Sequence, residues 1–460
     1  MQKGEVKVMK KKMLSLFMAT LLFVSTIVSV TGCGGSESGK GKEDDGTITL
    51  TVTVNSTELG DPDLYAQYEK EHPGIKIEVM PMSNNDSKLL SMIASGNSPD
   101  IIRCTGFDEV PVFVQRGILM PLDDYISKSD TLNLENLYEV AEVCRFDGEK
   151  RGEGSLYALP KDWSPIGLWI NKDMFAEAGI PLPSETEPMS WEEFADLAKR
   201  LVKWDGEAVD CHGCVTSLPL PTLLEMYLNG KGSSLWSDDY STTTLESKET
   251  QEAVAYFQDL QEHAALASSL YPASDSVGSA GLLEDKVAMA LSGYWFNGAF
   301  AAANKVEEAS EKLMFVPAPV GDKQAAYCVD TICIGIFSET KHPEEAYEFW
   351  EWLVSNETAV TARAEVGLGI PASKDYFSKL PYETEFNKQT LDVVTNYQLP
   401  NVDLTSRVCP YINYSGLIAL FDKYYVPVLF GQDSLDNALK TINKETEILI
   451  KEGKDLVGVE

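Results

Sequence analysis

The chain has 460 residues, with 71 Asp+Glu against 38 Lys+Arg and a formal charge of −33. A field of that sign repels nucleic acid and anionic lipid headgroups, which argues against nucleic acid as a partner. Hydrophobic residues make up 44% and aromatic ones 10%, enough for a well-filled core, and the length exceeds what one core usually serves, so two domains are expected.

Lys7, Lys10, Lys11 and Lys12 precede an apolar run from Met13 to Val30, which ends in Val30-Thr31-Gly32-Cys33. A positive start, an apolar middle and a small-residue ending make a secretory signal over residues 1–32. A cysteine directly after small residues looks like a bacterial lipobox. That implies cleavage before Cys33 and lipidation of its thiol, an anchor that tethers the chain without spanning the membrane. Residues 33–45 are Gly, Ser and charge, a flexible tether, so the folded body begins near Gly46. No later stretch approaches the length of a spanning helix.

Residues 47–55, TITLTVTVN, alternate polar and apolar and predict a strand. Asp61-Pro62 opens a helix with Leu64, Tyr65 and Tyr68 on one stripe, and Pro73-Gly74 stops it. IKIEVMPM is a strand, SKLLSMIASG a helix ending on Gly96, and PDIIRC a third strand. That β-α-β-α-β order predicts a parallel sheet covered by helices. Further on, Ser190-Trp191-Glu192-Glu193 is a capping box ahead of Phe194, Leu197, Ala198 and Leu201 at helical spacing. TQEAVAYFQDLQEHAAL predicts a second amphipathic helix, and KVAMALSG and DTICIGIF predict strands. Pro343 opens a helix with Ala346, Phe349, Trp350 and Leu353 on one face, Trp350 being a core residue. Ser434 caps a last helix carrying Leu435, Ala438, Leu439 and Ile442.

Of 8 cysteines, Cys33 is assigned to lipid. The remaining odd number leaves at least one thiol unpaired within the chain. Cys211-His212-Gly213-Cys214 lacks the second pair a zinc site needs and the context of a redox motif, so it reads as a local disulfide or two thiols in a loop. Cys328 and Cys333 are expected to pack as small hydrophobes. The chain has no H-E-x-x-H, no G-x-S-x-G and no G-x-G-x-x-G after a strand. NGKGSS (229–234) departs from a phosphate loop and reads as a turn. With only 4 His, acid–base groups are scarce. Carboxylate pairs for glycoside hydrolysis lie apart in sequence and keep an extracellular glycoside-acting enzyme open as an alternative.

An ordered series remains: SGNSPDII (95–102), GILMPLDDYI (117–126), YALPKDWSPIGLWINKDMFAEAGIPLP (157–183), MSWEEFADLAKRL (189–201), DKVAMALSGYWF (285–296), FVPAPVGD (315–322), KHPEEAYEFWEWLVSNETA (341–359) and GLGIPAS (367–373). Each motif is weak alone, but the series after a lipobox resembles the family 1 extracellular solute-binding proteins, the sugar-capturing lipoproteins of ABC importers related to maltose-binding protein. The resemblance covers essentially the whole chain after the leader. It implies an α/β fold of the two-lobe periplasmic-binding-protein type II kind, with a ligand cleft and hinge between the lobes. Lobe 1 is expected from residues 46–164 and 326–370, and lobe 2 from 165–325 and 371–460. It further implies a carbohydrate ligand, ABC-transporter permease subunits as partners, a monomer, no cofactor and no catalysis. A same-fold receptor for a polyol or polyamine is the second alternative, kept open by the acidic residues Glu58, Asp108 and Asp162.

A sugar ring offers apolar C–H faces to aromatic rings and hydroxyls to carboxylates, amides and Arg forks. In open α/β sheets, ligands gather beyond the carboxyl ends of the strands. The expected ligand groups are therefore Asn55, Ser56 and Glu58 after the first strand, and Thr105, Phe107 and Asp108 after the third. Asp100, at the family's Pro-Asp step, is expected to lock a turn to a strand. Asp162, Trp163 and Ser164 fall at the first crossover and are expected to face the cleft, while Trp169 is expected to pack. Tyr294 and Trp295 match the position where relatives place a stacking Trp after Gly, with burial in the core as the alternative. Asp330, where relatives often have Gly, joins the set, as do Tyr411, Asn413 and Tyr414 from the second lobe, with Arg407 as an addition.

Overall fold

The computed structural model describes residues 46–54, 62–82, 86–271, 278–321, 329–401 and 408–459. Alternation in the first strand, β1 (Ile48–Val54), turns Leu50, Val52 and Val54 inward. Helix α1 (Pro62–Glu71) buries Leu64, Tyr65 and Tyr68, and Gly74, at φ +101°, makes the turn that no side-chain-bearing residue takes easily. Strand β2 (Ile75–Pro81) lies parallel to β1, with Ile48 opposite Ile75. After α2 (Asp86–Ala94), strand β3 (Ile101–Thr105) takes the other side of β1, again parallel. Asp100 is the expected lock: its carboxylate accepts from Thr51 N at 2.8 Å and from Thr340 Oγ1 at 2.5 Å. Helix α3 (Gly106–Gln115) leaves the carboxyl end of β3.

Strand β4 (Ala158–Asn171) is fourteen residues long and buried throughout. Helix α4 (Trp191–Leu201) carries the predicted capping box, Ser190 Oγ accepting from Glu193 N at 3.1 Å and Glu193 Oε2 from Ser190 N at 2.7 Å. Strand β5 (Ala208–Thr216) contains Cys211 and Cys214, so the expected loop is a strand. Both thiols are buried, and no disulfide joins any described cysteine. Gly213 permits the closeness of α4, because a Cβ there would come 1.8 Å from Ala198 O. Helices α5 (Leu220–Gly230) and α6 (Lys248–Glu262) follow. The helix predicted to run through Leu266 stops at Glu262: Ala264 turns left-handed at φ 56°, and Leu266 and Ala267 form a short strand, β6, paired with Cys214 and Val215. Pairing to a sheet edge outweighs helical spacing there.

Strand β7 (Val287–Gly293), helix α7 (Phe296–Ala302) and strand β8 (Leu313–Pro317) complete this part. Strand β9 (Val329–Ile336) then leads to α8 (Pro343–Ser355), which buries Ala346, Phe349, Trp350 and Leu353, and to α9 (Glu357–Ala364). Trp350 Nε1 donates to Ile334 O at 2.8 Å, which secures it as core. The chain closes with α10 (Tyr414–Tyr424) and α11 (Leu435–Val457), the latter capped by Ser434 and ended by Gly458 at φ +75°.

The strands are ordered β2-β1-β3-β9-β4-β7-β5, with Lys203–Asp205 beyond β5. The long β4 serves two sheets in turn. Its residues 158–165 pair antiparallel with β9, and residues 166–171 pair antiparallel with β7 and β8. The handover falls between Pro165, opposite Val329, and Ile166, opposite Gly293. Two apolar cores follow the same division. One gathers Leu50, Ile101, Phe113, Leu159, Ile334 and Trp350, and the other Ile166, Phe175, Phe194, Phe257, Leu291 and Ile442. A third cluster, with Trp163, Trp169, Tyr294 and Ile370, fills the junction.

Candidate ligand site at the strand ends

The sheet itself aligns part of the expected set. Thr105, at the end of β3, lies opposite Ile332 of β9, and Ile332 lies opposite Asp162 of β4. Thr331 faces Trp163, and Asp330 faces Ser164. Across β4, Tyr294 N donates to Pro165 O at 3.2 Å and Trp295 N to Ser164 Oγ at 3.2 Å. The backbone positions of Thr105, Asp330, Asp162 to Ser164, and Tyr294 to Trp295 therefore form one row at the junction of the two sheets. Asn55, Ser56, Glu58 and Arg407 lie outside the described residues, as do the side chains of Phe107, Asp108 and Asp330.

The crossover departs from the expectation of open, cleft-facing side chains. Lys161, Asp162, Trp163 and Ser164 are all buried. The Asp162 carboxylate accepts from Arg363 Nε of α9 in an ion pair with both side chains deeply covered. Trp163 is 0% exposed, donates through Nε1 to Pro371 O at 3.2 Å and meets Tyr138 edge-on at 5.5 Å. Its backbone exchanges two hydrogen bonds with Ile370, at 2.9 and 2.8 Å. A charge can stay in such a place only with a partner, and residues 363–371 supply it. Trp169 packs as expected, with Nε1 donating to Gly293 O at 3.0 Å.

Trp295 differs. It is half-buried and packs against both the second core and the junction cluster. Its ring lies on the backbone of Gly293, where an added Cβ would come 1.9 Å from Cζ3. Glycine two residues before the tryptophan is what lets the indole lie flat there. Tyr294, by contrast, is buried, and burial pushes its phenol above the ordinary range.

Tyr411, Asn413 and Tyr414 lie at the start of α10. All three are half-buried. Tyr414 Oη is 2.8 Å from Thr222 Oγ1 of α5, and Lys454 Nζ stands 5.2 Å over the Tyr411 ring. Burial raises the Tyr411 phenol, helped by Cys409 and by the Glu149 carboxylate from the first half of the chain. Asn413 Oδ1 is buried with no donor among the described residues, an acceptor that burial without a partner makes costly. Gln398 Oε1 is a second such acceptor, while its Nε2 donates to Ile166 O at 2.9 Å. Arg363 and Gln398 carried no local sequence signal, because their partners, Asp162 and Ile166, lie far along the chain. Among the described residues, no cluster of His, Cys, Asp or Glu is arranged to hold a metal, and no helix is long and apolar enough to cross a membrane.

Residues 56–360 match the profile of the bacterial extracellular solute-binding proteins. The chain belongs to that family. A Brucella abortus relative named as a binding protein is 31% identical over 161 residues, 34% of this chain and 36% of that protein, so the match spans about a third of the curated relative's length. Two solved structures share the fold. One is an ABC substrate-binding protein from Listeria monocytogenes in complex with cycloalternan (TM-score 0.69, 20% identity, 90% of this chain and 100% of that one). The other is an ABC-transporter solute-binding protein from Thermotoga lettingae bound with α-D-tagatose (TM-score 0.70, 20% identity, 88% and 100%). Mixed α/β architecture in two lobes is thus the fold of this chain.

Proposed function

We propose that this protein captures a mono- or oligosaccharide between its lobes and delivers it to the permease subunits of an ABC importer, without catalysis. The observation that carries the reading is the half-buried Trp295 laid on Gly293 at the carboxyl end of β7. An aromatic face held from behind by backbone suits the C–H face of a pyranose. Asn413, whose Oδ1 has no donor among the described residues, offers an acceptor for a hydroxyl. The sugars in the two relatives' structures lend support to the same class of ligand. The acidic side chains that would favour a polyamine weaken on this reading, since Asp162 is already neutralised by Arg363.

The proposal extends to the membrane. Cleavage before Cys33 and lipidation of its thiol would hold a monomer on the extracytoplasmic face, with residues 33–45 as the tether. Thermal-shift screening of monosaccharides, oligosaccharides, polyols and polyamines tests the ligand class, because a ligand bound only by the folded state raises Tm. A rise with sugars alone supports the reading. A rise with polyamines alone, or turnover of an oligosaccharide, overturns it. Metabolic labelling with a fatty acid, lost in Cys33→Ala, tests the anchor.

A further inference from the structure

Three buried cysteines meet in the first core, none of them in the candidate ligand set. Cys144 ends the 3-10 turn Glu139–Cys144, and Cys333 lies on β9. Their Sγ atoms are 3.3 Å apart, across 189 residues of sequence, and both residues are 0% exposed. Cys104 of β3 stands opposite Cys333 in the sheet register, and its Sγ points to Ile102 O at 3.7 Å. Packing as small hydrophobes explains each cysteine singly. It does not explain why two sulfurs from distant segments share one contact in a protein of an extracellular family.

We propose that Cys144 and Cys333 form a disulfide as the chain folds outside the cytoplasm. The co-reactant is a small-molecule or protein disulfide. The thiolate of one cysteine attacks a sulfur of that disulfide and expels one thiolate, leaving a mixed disulfide on the chain. The second cysteine's thiolate then attacks the chain-bound sulfur, and a second thiolate leaves. Two cysteine thiols are oxidised, the co-reactant disulfide is reduced to two thiols, and the two protons end on those thiols.

Timing follows from burial. The folded core pushes the Cys144 thiol well above its ordinary range, through desolvation first and its contact with Cys333 next. The thiolate is the nucleophile, so the folded pair is inert and the bond is made while the segments are still meeting. Once made, it ties the Glu139–Cys144 turn to β9. The residue before that turn, Tyr138, donates from its N to Ala372 O at 2.9 Å, and β9 pairs with β4. The bond therefore braces the first-core side of the junction and leaves the Trp295 surface untouched.

The full chain, unfolded in denaturant, is refolded in a mixture of reduced and oxidised glutathione, digested without reduction and mapped by mass spectrometry. The expected result is one linked peptide pair joining Cys144 to Cys333, lost in Cys144→Ala and in Cys333→Ala. Protein refolded with reductant should melt about 3–8 °C lower than the oxidised form. Oxidised glutathione added to the folded, reduced protein should give less than about a tenth of that linkage in the same time. Linkage through Cys104, or none after oxidative refolding, overturns the proposal, as does equal oxidation of the folded protein. The map of the unsubstituted chain decides the matter even where an alanine variant fails to fold.

Discussion

Arg363 of α9 and Asp162 of β4 form a buried ion pair that fastens the helix to the long strand across 201 residues of sequence. The same carboxylate lies against Gly369, where an added Cβ would come 2.5 Å from Oδ1. With the Trp163–Ile370 backbone pair beside it, this makes the stretch 363–371 a second strap across the handover at Pro165.

Breaking that pair from one side should be costly, because the surviving charge has no water. Arg363→Met is expected to lower the unfolding free energy by about 3–5 kcal/mol in urea titration. The double variant Asp162→Asn/Arg363→Met should regain most of the loss, since neither charge then remains buried. A single variant losing less than about 1 kcal/mol would show the carboxylate to be solvated after all.

The sequence made the strands and helices legible where a period was long and clean. Residues 48–54 alternate, and Ala346, Phe349, Trp350 and Leu353 repeat at helical spacing, so their buried faces followed directly. Helix α6 ended early because the claim of the β5 edge on Leu266 and Ala267 is not local. The site was less legible for the same reason. Asp162 looked like a ligand carboxylate because its partner stands 201 residues away. Trp163 looked like a cleft ring because nothing near it in sequence announces Tyr138 and Pro371. Trp295 was findable because it resembles the family's stacking Trp after Gly, and Gly293, two residues before it, is where its ring lies on backbone.

The two tryptophans should separate cleanly. Trp163→Ala is expected to cost about 3–5 kcal/mol in denaturant unfolding, the usual price of emptying a fully buried ring site. Trp295→Ala should leave the protein folded, by circular dichroism, and abolish the change in tryptophan fluorescence on adding the sugar found in screening. If Trp295→Ala also loses the fold, the ring is core and the stacking surface lies elsewhere.

Gly293→Ala probes the same surface without removing the ring. The new methyl would occupy space 1.9 Å from Trp295 Cζ3, so the indole must lift from the backbone. Sugar affinity by calorimetry should fall by roughly tenfold or more, about 1.4 kcal/mol, with Tm changed by only a few degrees. An unchanged Kd would show that the ring's position on Gly293 does not matter for binding.

His212 on β5 gives the fold a pH dependence whose sign can be worked out. Burial pushes its imidazole below the ordinary 6.5, against the weaker opposing effect of the Ala264 carbonyl, 3.4 Å from Nδ1. The unfolded chain therefore binds a proton more readily than the folded one. Above about pH 6.5 both states are neutral at this residue, and its contribution is full. As pH falls below 6.5 through the lower folded value, that contribution is lost. Melting temperatures of the wild type and His212→Gln between pH 8 and pH 5 should differ by a constant amount above pH 7. Below pH 6.5 the difference should move in favour of the variant, which has no proton to bind. A gap that stays flat to pH 5 would mean the ring is solvated enough to titrate freely in the folded protein.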